Sequence, residues 1–378
     1  MRYLFPVSIL SGTIIGAGMF SLPYIFAASG FWLSALYLLF FTFVFFITHT
    51  MYADIMLRTE RLPGFVLYVR RYLGGWAAVP ATLATVFGII FASAVYLVLA
   101  VSFVRLLYTA VSEAAVVYAF WLLGSAAIFL KAKRLAVLEL VVGGAVIVLM
   151  SFIFFFGIFT GDFSSRAFSL FAPGSALFFL PFGPILFSLA GRSAIPSVLE
   201  YAAEGALPER AVSWIIFWGT IIPGVFYLLF VVGVWGLSDV ISIDAVSGLS
   251  RAPRMLLVAL GILGTASLFS TYIPLCISVK KILEADFHSS HLLAGTVVVA
   301  SPILIYLLGL GFLQLVVITG GVFLALESIF IALVWNKLNT SGVKELLLTR
   351  FGTKTAYVII GIFLVGMIAE LTNIIFSP

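Results

Sequence analysis

The sequence predicts an all-α membrane protein, a single bundle of about eleven transmembrane helices in which the first and the sixth are broken. Three observations lead there: an extreme apolar composition, long apolar stretches between clusters of charge, and two stretches interrupted by glycine and proline. Of the 378 residues, 63% are apolar and 9% are charged, whereas soluble domains have about 45–50% and about 25%. This composition excludes a soluble enzyme, a disordered chain and a nucleic-acid-binding protein.

The apolar stretches set the number of membrane spans. A membrane-spanning helix needs about 20 mainly apolar residues, and the stretches between charge clusters give eleven candidates. They are about 4–28, 30–57, 76–105, 115–130, 135–159, 174–200, 213–236, 254–279, 291–308, 311–335 and 354–377. Ala27-Ala28-Ser29 faintly resembles a signal cleavage site, but the apolar stretch before it is long and broken by glycines. We therefore expect a retained helix.

The distribution of basic residues predicts the orientation, because Lys and Arg accumulate on the cytoplasmic side of membrane proteins. With the N-terminus in the cytoplasm, fifteen basic residues fall inside and four outside. The inner ones are Arg2, Arg58, Arg61, Arg70, Arg71, Lys131, Lys133, Arg134, Arg210, Lys280, Lys281, Lys337, Lys344, Arg350 and Lys354, and the outer ones are Arg105, Arg166, Arg251 and Arg254. The protein is then expected in the cell membrane, and the odd number of spans places its C-terminus on the outer side.

Two loops carry structural signals of their own. Leu62-Pro63-Gly64 precedes an amphipathic run that ends at Leu73-Gly74-Gly75, which predicts a helix lying in the membrane interface. The outer loop with Asp239 and Asp244 is expected to hold short capped helices. The lone Cys276 excludes an internal disulfide and a cysteine-based metal cluster.

The first and sixth spans differ from the plain apolar helices around them. Span one contains Gly12, Gly16 and Gly18, and span six contains Pro181, Gly183, Pro184 and Gly191. Glycine and proline weaken a helix, and irregular backbone at membrane depth is tolerated only beside protein or a water-filled cavity. In each span, a proline follows the last glycine after five residues: Pro23 after Gly18, and Pro196 after Gly191.

Paired interruptions at corresponding places of two halves indicate the binding site of a secondary transporter built from inverted repeats, as in transporters of the LeuT type. The first repeat would cover about 1–159 and the second about 174–335, with an extra C-terminal helix at about 354–377. The alternative is that the glycines serve close helix packing, since Gly12 and Gly16 have a small-xxx-small spacing.

The residues around both breaks resemble a known family. The run Gly12-Thr13-Ile14-Ile15-Gly16-Ala17-Gly18-Met19-Phe20-Ser21-Leu22-Pro23 resembles the first helix of the amino acid/auxin permease group of the amino acid-polyamine-organocation superfamily. It is especially similar to the bacterial aromatic and hydroxy amino acid permeases. The run from Ser188 to Pro196, continued to Tyr201, resembles that group's sixth helix. One departure is Gly191-Arg192, where the family commonly has a run that ends in His.

The resemblance implies the LeuT-type fold, ten helices in two inverted halves plus one more, and roles for individual residues. The backbone N–H groups of Ala17 and Gly18, next to Gly16, would bind the carboxylate of an amino acid. Carbonyls near Ile14 and near Leu186 to Ser188 would accept its ammonium group, and Tyr96 would line the pocket. The physical logic is independent of the family, because half-helix ends carry partial charges of opposite sign.

The resemblance also implies a place for a coupling ion, Na⁺ or H⁺, with no other cofactor or metal. A sodium ion would lie between the carbonyls of Gly12 and Ile15 and the hydroxyls of Ser270 and Thr271, since oxygen ligands suit a hard cation. Alternatively, these hydroxyls bond to their own helix. Some proton-coupled relatives place a Lys of the fifth helix here, but span five has none.

Ionisable residues inside spans are costly and usually functional. Glu327 lies in the middle of span ten and Arg192 deep in span six, whereas Glu139 and Glu200 lie near the inner ends of their spans and His49 reads as a bundle histidine. Arg192 has three interpretations: it snorkels to water, it binds a substrate carboxylate, or it pairs with Glu327 as a gate or proton site. We favour the pair, because half-helix N–H groups already serve the carboxylate.

These features predict a permease that moves an amino acid by alternating access, coupled to H⁺ or Na⁺, with a small molecule and the lipid bilayer as its partners. The alternatives are a passive channel, a transporter of another small zwitterion or amine, and a membrane-embedded enzyme. A channel would need pore-lining rings or filter loops. An enzyme would need a nucleophile with a base or an acid pair, and the chain has only three His. We therefore expect a transporter and no enzyme activity.

Overall fold

The computed structural model describes residues 2–60, 62, 64–128, 133–161, 163, 168, 178–286, 289–341, 346–348, 352 and 354–376, with the backbone alone at 133–141, 285–286 and 376. Several sequence predictions lie outside the described residues. They are the start of the sixth span at 174–177, the side chain of Glu139, and the side chains of Arg61, Lys131, Lys133, Arg134, Arg166, Lys344 and Arg350.

The described residues form fifteen α-helices. They are α1 (Leu4–Ile14), α2 (Leu22–Ser29), α3 (Phe31–Arg58), α4 (Phe65–Leu73), α5 (Gly75–Leu107), α6 (Glu113–Ala127), α7 (Lys133–Thr160), α8 (Phe182–Ser188), α9 (Ile195–Glu204), α10 (Glu209–Leu237), α11 (Arg254–Asp286), α12 (His291–Leu307), α13 (Phe312–Ile318), α14 (Ala325–Thr340) and α15 (Lys354–Phe376). Short 3₁₀ segments at Ala17–Ser21 and Arg192–Ala194 join α1 to α2 and α8 to α9, and a π-helical segment at Thr319–Leu324 joins α13 to α14.

Eight of the helical segments in the described part of the chain are long and apolar enough to cross a membrane, and the bent pair α1–α2 makes a ninth. The shorter apolar helices α6 and α12 fill the fourth and ninth positions of the predicted series. The predicted spans and the observed helices agree in order and type. The main differences in length are at α11, which continues to Asp286, and at α14, which continues to Thr340. The sixth span was also expected to be helical from about 174, but residues 178–181 form turns and α8 begins at Phe182, directly after Pro181.

The two loop predictions had different outcomes. Helix α4 lies where the sequence predicts an interfacial helix, and its apolar side is buried while Arg70 and Arg71 are exposed. The prediction of short helices in the outer loop is wrong, because residues 238–252 form turns. Asp244 is the reason: its carboxylate accepts hydrogen bonds from Ser242, Ser247 and Ser102 of α5, which fixes turns instead of starting a helix.

Glycines let the helices pack at backbone distance. A Cβ on Gly157 of α7 would lie 2.2 Å from the carbonyl oxygen of Gly233 on α10, and one on Gly264 of α11 would lie 2.2 Å from the Phe103 ring of α5. Close approach through small residues is the usual way in which helices associate in a membrane. The outcome is a tight bundle around the two broken spans.

Candidate functional site

The first break follows directly from the glycines of span one. Helix α1 ends at Ile14, Gly16 is fully extended with φ −139° and ψ −158°, and a 3₁₀ turn begins at Ala17. The two halves of the span, α1 and α2 with the 3₁₀ turn, meet at an angle of 49°. The N–H of Met19 donates to the carbonyl of Gly16 at 3.4 Å, whereas the first N–H groups of a helical segment have no partner within it. The end that begins with Ala17 and Gly18 is therefore suited to an anion.

The second break has the same construction. Helix α8 ends at Ser188, Gly191 precedes the 3₁₀ turn that begins with Arg192, and α9 starts at Ile195 with Pro196 in its first turn. Proline is favoured there because its missing N–H costs nothing. Pro23 occupies the corresponding place at the start of α2. The equal glycine-to-proline spacing therefore corresponds to equal local structure.

The two breaks are in direct contact, each through its glycine. A Cβ on Gly18 would lie 2.6 Å from Cα of Ser188, at the end of α8. A Cβ on Gly191 would lie 2.6 Å from Cγ1 of Ile14, at the end of α1. At each break, the helix end of the other span therefore packs against a glycine, at a position that leaves no room for a Cβ. The structure thus brings together the predicted residues Ile14, Gly18 and Ser188.

Tyr227 of α10 bridges the two helix ends through its hydroxyl group. Its buried hydroxyl lies 2.6 Å from the carbonyl oxygen of Ile14 and 2.8 Å from that of Ser188. The same hydroxyl interacts with Tyr96 and with the backbone of Gly16, and the Tyr96 hydroxyl would lie 3.4 Å from a Cβ on Gly16. Sequence reasoning found Tyr96 and missed Tyr227, because Tyr227 lies in a long apolar stretch of α10 where a tyrosine fits ordinary bundle packing equally well.

Arg192 pairs with Glu327, 135 residues away. The Nε–Oε1 distance is 2.5 Å and the Nη2–Oε2 distance 2.9 Å, a two-point contact between α14 and the turn before α9. The Arg192 side chain is 19% exposed and that of Glu327 9%, so Arg192 does not snorkel. Its guanidinium also lies 4.8 Å from the ring centre of Phe65 and 5.7 Å from that of Tyr52, which adds cation–π attraction.

A buried histidine lies near this pair. His49 of α3 is 1% exposed, its Nδ1 lies 3.3 Å from the Thr220 hydroxyl, and it interacts electrostatically with Arg192. The sequence predicted a histidine satisfied within the bundle, and one ring nitrogen has a partner in Thr220. The other, Nε2, has no hydrogen-bond partner among the described residues.

The residues predicted to hold a coupling ion are only partly free to do so. The hydroxyls of Ser270 and Thr271 both bond to the carbonyl of Ser267 in their own helix, at 2.9 and 3.1 Å. Gly12 is exposed on α1, and Ile15, partly buried, bonds through its N–H to Ser11. In the described part of the chain, no group of three His, Cys, Asp or Glu side chains is arranged to hold a metal ion.

Span ten contains a third interruption that the sequence analysis missed. The π-helical segment presents Gly320 to α8, where a Cβ would lie 1.8 Å from the carbonyl oxygen of Gly183. π-helical turns within α-helices are often found at functional sites. The signal in the sequence was the pair Gly320-Gly321, which permits this backbone contact.

The model of the tryptophan/tyrosine permease family matches residues 2–370. The chain belongs to this family. No curated protein matches it closely enough for comparison.

Three solved structures resemble the permease over nearly its whole length. The Eremococcus coleocola manganese transporter, in complex with an aromatic bis-isothiourea substituted compound, has a TM-score of 0.67 and 15% identity, covering 100% of this chain and 88% of its own. MhsT in complex with L-phenylalanine has a TM-score of 0.63 and 14% identity, and the match covers 97% of this chain and 98% of MhsT. The third is Mhp1, a nucleobase-cation-symport-1 family transporter in a closed conformation with bromovinylhydantoin bound. It has a TM-score of 0.62 and 12% identity, and the match covers 97% of this chain and 89% of Mhp1.

These likenesses confirm the LeuT-type fold, and the family confirms the predicted function at the level of class. The protein is an integral membrane protein and a secondary transporter of amino acids. The roles of the individual site residues, the repeat boundaries and the coupling ion stay predictions.

Proposed function

We propose that this permease carries an aromatic amino acid across the cell membrane by alternating access, with the substrate held where the two breaks meet. The contact that carries the proposal is the Tyr227 hydroxyl bound to the carbonyls of Ile14 and Ser188. It shows that the two helix ends present acceptors to one common donor. An ammonium group, which donates three hydrogen bonds and carries a positive charge, suits the same pair of oxygens better than a neutral hydroxyl.

The position of the ammonium group determines where the carboxylate and the side chain of the substrate would bind. The carboxylate would bind the N–H groups of Ala17 and Gly18, at the start of the 3₁₀ turn. The side chain would extend towards Phe20, whose ring lies 5.1 Å from that of Phe103 and 5.7 Å from that of Phe230, both edge-on. An aromatic side chain fits such a cluster by the same edge-to-face contacts. The family, and the L-phenylalanine bound to MhsT, support an aromatic substrate.

The pair of Arg192 and Glu327 acts in this proposal as the gate on the cytoplasmic side of the site. Phe65, which lies against Arg192, belongs to the helix that the basic-residue asymmetry places in the inner interface. The N-terminus is then cytoplasmic and the C-terminus outside. Opening the gate separates α9 from α14. In this arrangement Nε and Nη2 of Arg192 already donate to the two carboxylate oxygens of Glu327, so these two donors are not available to a substrate carboxylate.

The driving ion is H⁺ or Na⁺. Sodium would need the hydroxyls of Ser270 and Thr271 to direct their lone pairs at an ion between them and the carbonyls of α1, while still donating to Ser267. Such sharing is compatible with their chemistry, because a hydroxyl donates one hydrogen bond and accepts two.

We also propose that the family belongs to the amino acid-polyamine-organocation superfamily, on the resemblance of the two broken helices.

Uptake into proteoliposomes tests the proposal. Purified permease should accumulate labelled tryptophan or tyrosine against its gradient when a pH or Na⁺ gradient is imposed, and unlabelled aromatic amino acids should compete. Flux that never exceeds equilibration would indicate a channel. Competition by small amines or aliphatic zwitterions, with none by aromatic amino acids, would overturn the aromatic assignment.

A further inference from the structure

The C-terminal helix α15 carries a buried acid that the transport site described above does not use. The buried face of α15 contains Ala356, Ile359, Phe363, Gly366 and Glu370, spaced three and four residues apart. This spacing is that of one helix face. Glu370 is 2% exposed, so the helix that mostly faces lipid turns its single acidic residue into the protein.

Glu370 is held between two interrupted spans. A Cβ on Gly183 of α8 would lie 2.9 Å from Oε1 of Glu370, and one on Gly321 of the π-helical segment would lie 2.6 Å from its Cγ. Both glycines therefore leave room for this one side chain. Beside it, a Cβ on Gly366 would lie 2.2 Å from the Phe182 ring at the start of α8. The carboxyl is built into the contact between α8, the π segment and α15.

Among the residues that the structure describes, no cation balances this carboxyl. Its Oε2 is buried without a hydrogen-bond partner among the described residues. The titratable group that interacts with it is Tyr37 of α3. Helices α8 and α13 and the π segment contain no charged residue, α14 carries Glu327, paired with Arg192, and Lys337 in its last turn, and Lys354 starts α15 sixteen residues earlier. Sixteen residues of helix span about 24 Å, which is too far for a contact.

An ionised carboxylate without a partner in such a place costs several kcal/mol, by an order-of-magnitude estimate, and a carboxyl that keeps its proton avoids this cost. Snorkelling does not relieve it, although the end of α15 is only six residues away, because the side chain points at Gly183 and not along the helix. Intramembrane acids usually mark a functional site, and proton relays are one such use.

We propose that Glu370 is the proton-binding residue of the transport cycle, carrying a proton while α8, the π segment and α15 are packed together. The proposal rests on the proposed function. Helix α8 links the two sites, since Gly183 contacts Glu370 and Ser188, five residues later, lies at the substrate position. When α8 moves to open the substrate site, Glu370 meets water and exchanges its proton. One proton is bound from one side and released to the other, and no other group changes charge.

The test separates coupling from binding. Wild-type permease in proteoliposomes should concentrate labelled tryptophan or tyrosine under a pH gradient alone, and substrate entry should acidify the lumen, as read by an enclosed pH-sensitive dye. Glu370→Gln, which imitates the protonated acid, should lose gradient-driven accumulation at least about tenfold and lose the acidification. Its exchange of labelled for unlabelled substrate should stay within about twofold of wild type. Glu200→Gln, an exposed acid on α9, is the matched control and should retain all three activities.

Each of the other outcomes contradicts either the role of Glu370 or the proposed function. Proton-driven accumulation that persists in Glu370→Gln overturns the assignment, and so does loss of exchange together with accumulation, which makes Glu370 structural. Wild-type uptake that responds to Na⁺ alone and moves no protons overturns the role of Glu370 and leaves the proposed function intact. Wild-type protein that takes up no aromatic amino acid under either gradient overturns the proposed function itself.

Discussion

Gly18 lies so close to Ser188 that a Cβ on Gly18 would stand 2.6 Å from Cα and 2.8 Å from the backbone nitrogen of Ser188. Both atoms are backbone, so a rotating side chain does not relieve the contact. We expect Gly18→Ala to force the two breaks apart. Overpacking of this kind costs about 1–3 kcal/mol, and the variant should lose transport about tenfold or more while it still inserts into the membrane.

The control for this prediction is Gly361→Ala on α15, where nothing lies within 4 Å of the added Cβ. Alanine in a helix is favoured over glycine by about 0.5–1 kcal/mol, so this variant should be at least as stable as the wild type and transport normally. Initial uptake rate and the midpoint of thermal unfolding in detergent measure both effects. Normal uptake by Gly18→Ala would contradict the assignment of the site.

The pair of Arg192 and Glu327 should behave as a unit. Arg192→Gln or Glu327→Gln alone leaves one buried charge without its partner, and breaking a buried pair costs about 3–5 kcal/mol. The double variant removes both charges and should be more stable than either single one. Thermal unfolding and uptake of all four proteins complete the double-mutant cycle. Additive losses would show that the two residues act independently.

Tyr227→Phe should reveal the acceptors that the Tyr227 hydroxyl now occupies. Without the hydroxyl, the carbonyls of Ile14 and Ser188 lose a buried donor, which costs about 1–3 kcal/mol for each group left unpaired. The variant should therefore unfold at a lower temperature than the wild type. Bound tryptophan or tyrosine replaces the missing donor with its ammonium group. The thermal shift caused by substrate should then be larger in Tyr227→Phe, and an equal shift would argue against these carbonyls as the ammonium site.

Asp54 should be important for stability at the C-terminal end of α3. Its carboxylate, 0% exposed, accepts hydrogen bonds from Arg58 at 3.0 Å, from Trp335 at 2.8 Å, and from the N–H groups of Leu346 and Leu347, both at 3.0 Å. Asp54→Asn leaves the Arg58 charge uncompensated and turns an acceptor into a donor, so we expect a loss of about 3–5 kcal/mol. Chemical or thermal unfolding in detergent measures it.

Glu60→Gln is the comparison for this variant. It removes an ion pair with Arg71 on the same side of the protein, but both side chains are largely exposed, and water screens such pairs. Its unfolding curve should overlay that of the wild type. A similar loss of stability in both variants would mean that burial at Asp54 does not matter.

The sequence by itself determined the spans and the breaks. Long apolar runs predict membrane helices whatever lies beside them, because the bilayer acts on each run separately. The glycines and prolines of spans one and six act on their own backbone, so Gly16, Gly18 and Gly191 were recognisable in the chain. The pairing of Arg192 with Glu327 was also within reach, since the chain offers few intramembrane charges and each requires an explanation.

Tertiary structure alone decided the other contacts of the site. Tyr227 was one of 14 tyrosines, and its importance comes from two carbonyls that lie 213 and 39 residues away. Glu370 lies near a helix end, where an acid is usually solvated, and only the rotation of α15 turns it towards Gly183 and Gly321. The π segment of span ten depends on the contact of Gly320 with Gly183. A local sequence pattern specifies a helix and its faces, whereas the rotation and depth of one helix against another depend on the packing of all of them.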